Sequence, residues 1–260
     1  MKLTEHKFKE LKSIPHFYII RSVESILLSD FIDRGTGPFL DLGCGDGSFA
    51  ATLGLTEIYG IDIDEKAIKG TSENGYKKAI LADATSTTFN DLFFGTVFSN
   101  CAIEHMNNID LVLKEVCRVL KNKGRFVFTV PSKRFLDFIR QDEVLKDIGL
   151  TTEDRIAEYN LFHHHMNIFS LEEWDAVLQK AGFKLLEYEY YLPDKIGSFV
   201  ARMDMLYTID APGSKELCRK LERAYSSLSN FKFQREVKRY LSNPHCAKSG
   251  THLIIKAEKI

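Results

Sequence analysis

The sequence predicts an α/β protein built on a Rossmann-like, mostly parallel sheet, and two observations carry that expectation. Short apolar runs alternate with helical or loop segments across residues 39–132, the pattern of a parallel sheet covered by helices on both faces. The first run leads into "PFLDLGCGDGSFA" (38–50), a strand, a glycine loop and the start of a helix. Glycines there let the backbone turn tightly and approach a nucleotide-like ligand.

The elements follow in order. "HFYIIRSVESILLSDFI" (16–32) carries Ile19, Ile20, Val23, Ile26 and Leu27 at helical spacing, and "DRGTGP" ends it. "FLDLG" (39–43), "IYGIDID" (58–64), "KKAILADA" (77–84), "GTVFSNCA" (95–102) and "GRFVFTVPS" (124–132) read as five strands. An amphipathic helix, "IDLVLKEVCRVLKNKG", precedes the fifth and closes on lysines and Gly124. "SLEEWDAVLQKAGF" (170–183) opens with Ser170 and Glu173 in capping-box spacing and closes near Gly182. "FKLLEYEYYL" and the closing "THLIIKAEKI" are two further strands.

With 260 residues, 44% of them hydrophobic and 27% charged, the chain fits one large domain with a full core. The expected organisation is an N-terminal helical cover (1–34), a cofactor-binding core (35–132) and two substrate-side insertions (133–169 and 193–250). A net charge of −1 gives no global attraction to nucleic acid or an acidic membrane. Eight Lys/Arg against three Glu between Lys215 and Arg239 mark either a phosphate-bearing partner or the solvated face of a helix. Five scattered cysteines, with no C-x-x-C pair, suggest free thiols rather than zinc or a disulfide framework. "MKLTEHKFKELK" is too charged for a signal peptide, and no apolar run approaches membrane-spanning length, so a cytoplasmic protein is expected.

Three details of the glycine loop bear on its ligand. It reads Asp41-x-Gly43-x-Gly45-x-Gly47, with Ser48 where a dinucleotide fingerprint has its last glycine. Asp41 ends the first strand, where a carboxylate sits poorly beside pyrophosphate but suits an ammonium group. Asp62 ends the second strand about 20 residues on, as a ribose-hydroxyl acceptor should. A plain turn carboxylate is the competing reading of Asp41.

"FLDLGCGDGSF", "IYGIDID", "ILADAT", "FSNCAIEHM" and "LKEVCRVLKNKGRFVFTVPS" together resemble the successive motifs of class I S-adenosylmethionine-dependent methyltransferases, in the small-molecule (type 11-like) branch. The likeness covers residues 38–132, and "HMNIFSLEEWDAVLQKAGFKLLEYE" more loosely. It implies a seven-stranded sheet whose last strand runs antiparallel. It also implies that Asp41 and the backbone of Gly43, Cys44, Gly45 and Gly47 hold the methionyl end of the cofactor. Asp62 would accept from the ribose, Ile63 pack on the adenine, and Asp83 accept from its amine with Ala84 alongside. Asn100 would lie near the sulfonium. Tyr18 and Arg21 stand on a helix resembling the family's cofactor cover, where Arg21 pairs with the cofactor carboxylate or is a structural arginine. The family's fourth strand often opens with an acidic residue, whereas this chain has Gly95-Thr96.

Methyl transfer from a sulfonium needs alignment, exclusion of water and sometimes a base. The candidate bases or substrate contacts are His105, just past the fourth strand, and His163 or His164 of the run 163–165. His105 is alternatively a helix-start residue bonded to its own loop. Adjacent histidines cannot all face one way, which argues against a metal site. The expected reaction is transfer to oxygen or nitrogen of a small or medium-sized metabolite such as a sugar, a natural product or a lipid-linked intermediate. Alternatives are a nucleic-acid methyltransferase, against which the absence of an Asn/Asp-Pro-Pro-aromatic run counts, and a non-catalytic partner subunit that binds S-adenosylmethionine. "KIGSFVARMDMLYTI" (195–209) reads as a cap over the acceptor, a buried helix or a dimer face.

Overall fold

The computed structural model describes residues 14–34, 36–148, 150–211, 213–226, 231–245 and 249–260. The expectations placed on "MKLTEHKFKELK" and on Cys246 lie outside these residues. The chain divides into two compact units. A sheet unit comprises residues 27–130, 166–189 and 253–260, and a helical unit comprises the stretches up to 26, 131–165 and 190–252.

Seven strands form one sheet in the order β3-β2-β1-β4-β5-β7-β6. They are β1 (Phe39–Leu42), β2 (Ile58–Asp62), β3 (Lys78–Leu81), β4 (Phe94–Asn100), β5 (Leu120–Pro131), β6 (Phe183–Tyr191) and β7 (His252–Lys259). Parallel pairing sets Phe39 beside Ile58 and Thr96, and Asp62 beside Leu81. Strands β4 and β5 are also parallel. The last pairings reverse direction. Arg125 pairs with Glu258 while the Ser132 amide donates to Thr251, so one index rises as the other falls. Likewise Lys256 meets Glu187, and the Ile260 amide reaches Gly182. The predicted α/β class and its antiparallel last strand both stand.

All four residues of β1 are buried, as are Val97 and Phe98 on the adjacent β4 and Phe126, Val127 and Phe128 on β5 beyond it. Strands covered on both faces must be apolar throughout, which is why these segments read as continuous hydrophobic runs. The sheet crosses over through α2 (Ser48–Ala51), α3 (Glu65–Ile68) and α4 (Ile109–Val119). Helix α4 buries Val112, Leu113, Val116 and Val119. It stops one residue before Leu120, which pairs with Phe94, and the register then shifts before Thr96 meets Arg125. The fifth strand therefore begins earlier than "GRFVFTVPS", and "LKNKG" belongs to it rather than to the helix.

Gly95 has a steric cause. A Cβ at this position would lie 1.7 Å from the carbonyl oxygen of Thr36, and the Gly95 amide donates to Pro38 O at 3.0 Å. The chain entering β1 passes so close that no side chain fits, so the acidic residue frequent here in the family is excluded.

The helical unit takes the N-terminal part of α1 (Pro15–Phe31) together with α5 (Lys133–Gln141), α6 (Thr152–His163), α8 (Asp194–Thr208), α9 (Ser214–Ser226) and α10 (Phe231–Ser242). Helix α7 (Leu171–Lys180) belongs to the sheet unit and begins with the predicted capping box between Ser170 and Glu173. The apolar stretch 195–209 is helix α8 with its C-cap Ile209; Ala201, Met203, Met205 and Leu206 of the helix and Ile209 after it join Phe135, Ile139 and Tyr159 in the core of the helical unit. Of its three readings, burial is the one its side chains display. No helix among the described residues is long and apolar enough to cross a membrane.

Candidate cofactor site

The glycine loop leaves β1 through backbone that L side chains rarely adopt, with φ of 79° at Gly43, 51° at Gly45 and 81° at Gly47. A Cβ on Gly47 would fall 2.6 Å from the ring of Tyr76, and one on Gly43 would fall 2.5 Å from Ala102. The loop's amides are largely spent inside the protein. Those of Gly43 and Cys44 donate to Ile61 O, that of Gly47 to Cys44 O, and that of Ser48 to Asp46. The Gly45 amide donates to Asp62 Oδ2 at 2.7 Å. A phosphate-cradling loop aims such groups at its ligand. This one does not.

Asp41 is buried beneath the loop and accepts from the Tyr76 hydroxyl at 2.5 Å. Burial pushes its carboxyl up to about 7, against the pull of the Tyr76 hydrogen bond, and nearby Asp62 adds to the rise. The same burial, with Asp41 alongside, pushes the Cys44 thiol and the Tyr76 hydroxyl far up. Both stay protonated at neutral pH.

A cavity of ≈ 270 Å³ opens beside the loop within the sheet unit. Its lining brings together Gly43, Asp62, Ile63, Asp83, Ala84 and His105 from the sequence-predicted set, with Thr85, Ala102, Met106, Asn107 and Asn108. Asp62 is anchored by the amides of Gly45 and Asp64. Ile63 is 78% exposed, an aliphatic face with no protein partner over most of its surface. Asp83 Oδ1 accepts from the Thr85 hydroxyl and amide, which holds its carboxyl below the usual range. No Lys or Arg is among the described lining residues.

The donor set fits S-adenosylmethionine and not a dinucleotide. Asp62 at the end of β2 suits ribose hydroxyls, which either cofactor carries, and Asp83 at the end of β3 suits an exocyclic amine, while most of the loop's amides are spent inside the protein and so are not offered to pyrophosphate.

Other predicted residues sit elsewhere. Asn100 ends β4 with its Oδ1 taking the Thr129 hydroxyl at 2.9 Å. Asp41, Cys44, Gly45 and Gly47 form the loop and its underside rather than the lining of this cavity. Arg21, in the helical unit, donates from Nη1 to the fully buried Glu24 at 2.8 Å, and the Tyr191 hydroxyl reaches the same carboxylate. Tyr18 is half-buried on the same helix. His163 lies in the helical unit, 3.8 Å from Asp204, and His164 is the exposed, left-handed C-cap of α6. Tyr76 was not anticipated. It follows a short 3₁₀ turn, carries no periodic signal, and becomes visible only where the loop folds over it.

A strand–loop–helix unit at the carboxyl ends of parallel strands, with acidic side chains where a dinucleotide site needs neutral amides, defines a Rossmann-like domain for a cationic adenosyl ligand. Residues 40–128 match the profile of a methyltransferase domain family. The chain is similar to 27-O-demethylrifamycin SV methyltransferase of Amycolatopsis mediterranei, at 27% identity over 165 residues, 58% of this chain and 55% of that one. It therefore spans about half the length of that relative. Its fold is similar to geranyl diphosphate C-methyltransferase of Streptomyces coelicolor (TM-score 0.61, 15% identity, 98% of this chain and 82% of that one). It is similar also to a Thermotoga maritima methyltransferase described as a possible histamine N-methyltransferase (TM-score 0.58, 15% identity, 98% and 100%). Residues 40–128 thus match a methyltransferase domain, and the fold around them is that of S-adenosylmethionine-dependent methyltransferases.

Proposed function

We propose that the protein transfers the methyl group of S-adenosylmethionine to an oxygen or nitrogen of a small or medium-sized metabolite: a sugar, a natural product or a lipid-linked intermediate. The observation that carries the reading is Asp83, a second carboxylate beside Asp62, with no Lys or Arg among the described lining residues of the cavity. The rifamycin relative, whose name describes methylation of a hydroxyl on a natural product, supports this acceptor class.

The bound cofactor supplies an already activated methyl group on a sulfonium, so the protein's task is alignment and, for a hydroxyl or protonated amine, removal of a proton. In this reading Asp62 accepts from the ribose hydroxyls while its other contacts to Gly45 and Asp64 keep it rigid. Asp83 keeps one oxygen on Thr85 and offers the other to the adenine amine. Ile63 and Ala84 face the ring. Asp41, buried under the loop, is the acidic group assigned to the ligand's ammonium once it ionises, with Gly43, Cys44, Gly45 and Gly47 as the backbone between. Asn100 is the remaining sheet-unit residue of the expected cofactor set. His105 lines the cavity and is the residue we assign as acceptor base.

Isothermal titration with S-adenosylmethionine and S-adenosylhomocysteine tests the first half. Transfer of isotopic label from the cofactor into a cell extract, read as a mass shift, tests the second. Tight NADH binding with neither adenosyl ligand bound overturns the reading.

A further inference from the structure

The helical unit holds an open cavity of ≈ 570 Å³ whose charge is opposite to that of the cofactor site. Arg134 from α5 and both Lys195 and Arg202 from α8 line it, and no Asp or Glu is among the described lining residues. Most of the remaining wall is apolar: Phe138, Phe199, Leu221 and Phe233.

The three cations are not equivalent. Arg202 donates from Nε to Asp142 Oδ2 at 2.8 Å, and its Nη2 lies 2.8 Å from the same oxygen. Asp142 is held in turn by the amides of Val144 and Leu145. That pair cancels its own charge and fixes the guanidinium, whose Nη1 makes no hydrogen bond to a described residue. Arg134 and Lys195 are exposed and make no ion pair with the described residues. The guanidinium carbon of Arg134 stands 6.0 Å over the Phe138 ring. Two positive charges at this cavity thus have no counter-ion among the described residues.

Exposed cations need only water. The rings beside them add an apolar surface, and a pocket that combines the two selects a ligand with both features. Phe138, Phe199 and Leu221 pack on the core of the helical unit, which fixes their positions. Phe199 stacks on Tyr225 at 5.1 Å and meets Phe233 edge-on at 5.2 Å. A further flat ring suits such a group. Helices α9 and α10, which supply Leu221 and Phe233, also carry the eight Lys/Arg between 215 and 239, all of them exposed. Their field raises the concentration of anions around these helices. A dianion matches the two uncompensated cations, whereas a monoanion leaves one over and a neutral alcohol uses neither. Guanidinium groups bind phosphate oxygens through paired hydrogen bonds, and a lysine adds a point charge.

We propose that Arg134, Lys195 and Arg202, with the rings of Phe138, Phe199 and Phe233, form a binding site for an aryl phosphate monoester. None of these residues belongs to the proposed methyl-transfer machinery, and binding here does not depend on that reading.

The test is isothermal titration of the full chain at about pH 8, where a phosphate monoester is a dianion. The probes are phenyl phosphate, inorganic phosphate, and phenyl sulfate, a monoanion of similar shape. Phenyl phosphate is expected to bind at least tenfold more tightly than inorganic phosphate and at least threefold more tightly than the sulfate, with affinity falling as salt is added. Arg134→Gln combined with Lys195→Gln is expected to lower phenyl phosphate affinity at least tenfold and to leave S-adenosylmethionine affinity, titrated separately, unchanged. Should the double variant fail to fold, the two single variants take its place, each expected to lose at least threefold. No binding of millimolar phenyl phosphate, equal binding of inorganic phosphate or of the sulfate, or full affinity in the variants overturns the proposal.

Discussion

Tyr76 donates a 2.5 Å hydrogen bond to the buried carboxyl of Asp41, and the same tyrosine ring fills the space that side chains on Gly47 and Gly60 would occupy. One residue thus holds the glycine loop from below and anchors the acidic group at its root. Strand β2 approaches so closely at Gly60 that a Cβ there would lie 2.7 Å from Cys44 Sγ and 2.8 Å from Tyr76.

Tyr76→Phe keeps the ring and removes the hydroxyl. It leaves Asp41 buried without that donor, at an expected cost of about 1–3 kcal/mol in folding stability. Denaturant unfolding measures it, and an unchanged midpoint and slope would mean that Asp41 has another donor.

Asp41 also sets a pH dependence. Its folded pKa, raised by burial to about 7, exceeds the usual carboxylate value. The protonated form is therefore favoured by folding. Its stabilising contribution is complete below about pH 4 and is lost as pH rises towards 7, where the folded group ionises. Cofactor affinity should run the opposite way, strengthening as Asp41 ionises opposite an ammonium. Replacing Asp41 with Asn should flatten both profiles. A cofactor affinity independent of pH between 5.5 and 8.5 in the wild type removes Asp41 from the binding scheme.

Gly95→Ala tests the close approach of the chain entering β1. Its Cβ would meet the backbone oxygen of Thr36, which cannot swing aside as a side chain can. The expected cost is about 2 kcal/mol or more, as for other forced overpacking. Thermal unfolding of the variant gives the answer, and a wild-type Tm would mean that residues 36–38 yield easily.

Asp62→Ala is expected to weaken S-adenosylmethionine binding by roughly 1–3 kcal/mol through unpaired ribose hydroxyls. The structure adds a second consequence, because Asp62 also receives the Gly45 and Asp64 amides. Stability should fall together with affinity. Titration calorimetry and unfolding on one preparation separate the two, and a folded variant with wild-type affinity contradicts the role.

Much of the sheet unit was legible in the sequence because its periodicities are local. The helix read over 16–32 spans Pro15–Phe31, the runs at 39, 58 and 77 became β1 to β3, and the capping box starts α7. What escaped depends on contacts distant in sequence. Leu120 leaves its helix because Phe94 pairs with it, and Tyr76 matters because Asp41 lies 35 residues earlier. Gly95 departs from the family pattern because the Thr36 carbonyl lies against it, a contact 59 residues away in sequence. Insertion 133–169 contains helices α5 and α6, whose apolar positions face a core shared with α8 and so carry little signal one at a time. Of the candidate bases or contacts His105, His163 and His164, His105 lines the cofactor cavity, and the other two belong to the helical unit.

His105 provides the sharpest separation of binding from chemistry. It closes the short 3₁₀ turn after β4, 37% exposed at its side chain, with Nε2 3.7 Å from the buried carboxylate of Glu104. Its place in the lining of the cofactor cavity is where a proton acceptor would be needed. His105→Ala should lower kcat by about 10²-fold or more for a hydroxyl acceptor and shift cofactor affinity by less than twofold. His105→Gln, which keeps a hydrogen-bonding side chain but cannot take a proton, should be as slow as the alanine variant. Recovery of turnover in His105→Gln would assign the histidine to positioning, and wild-type turnover in both would remove it from the mechanism.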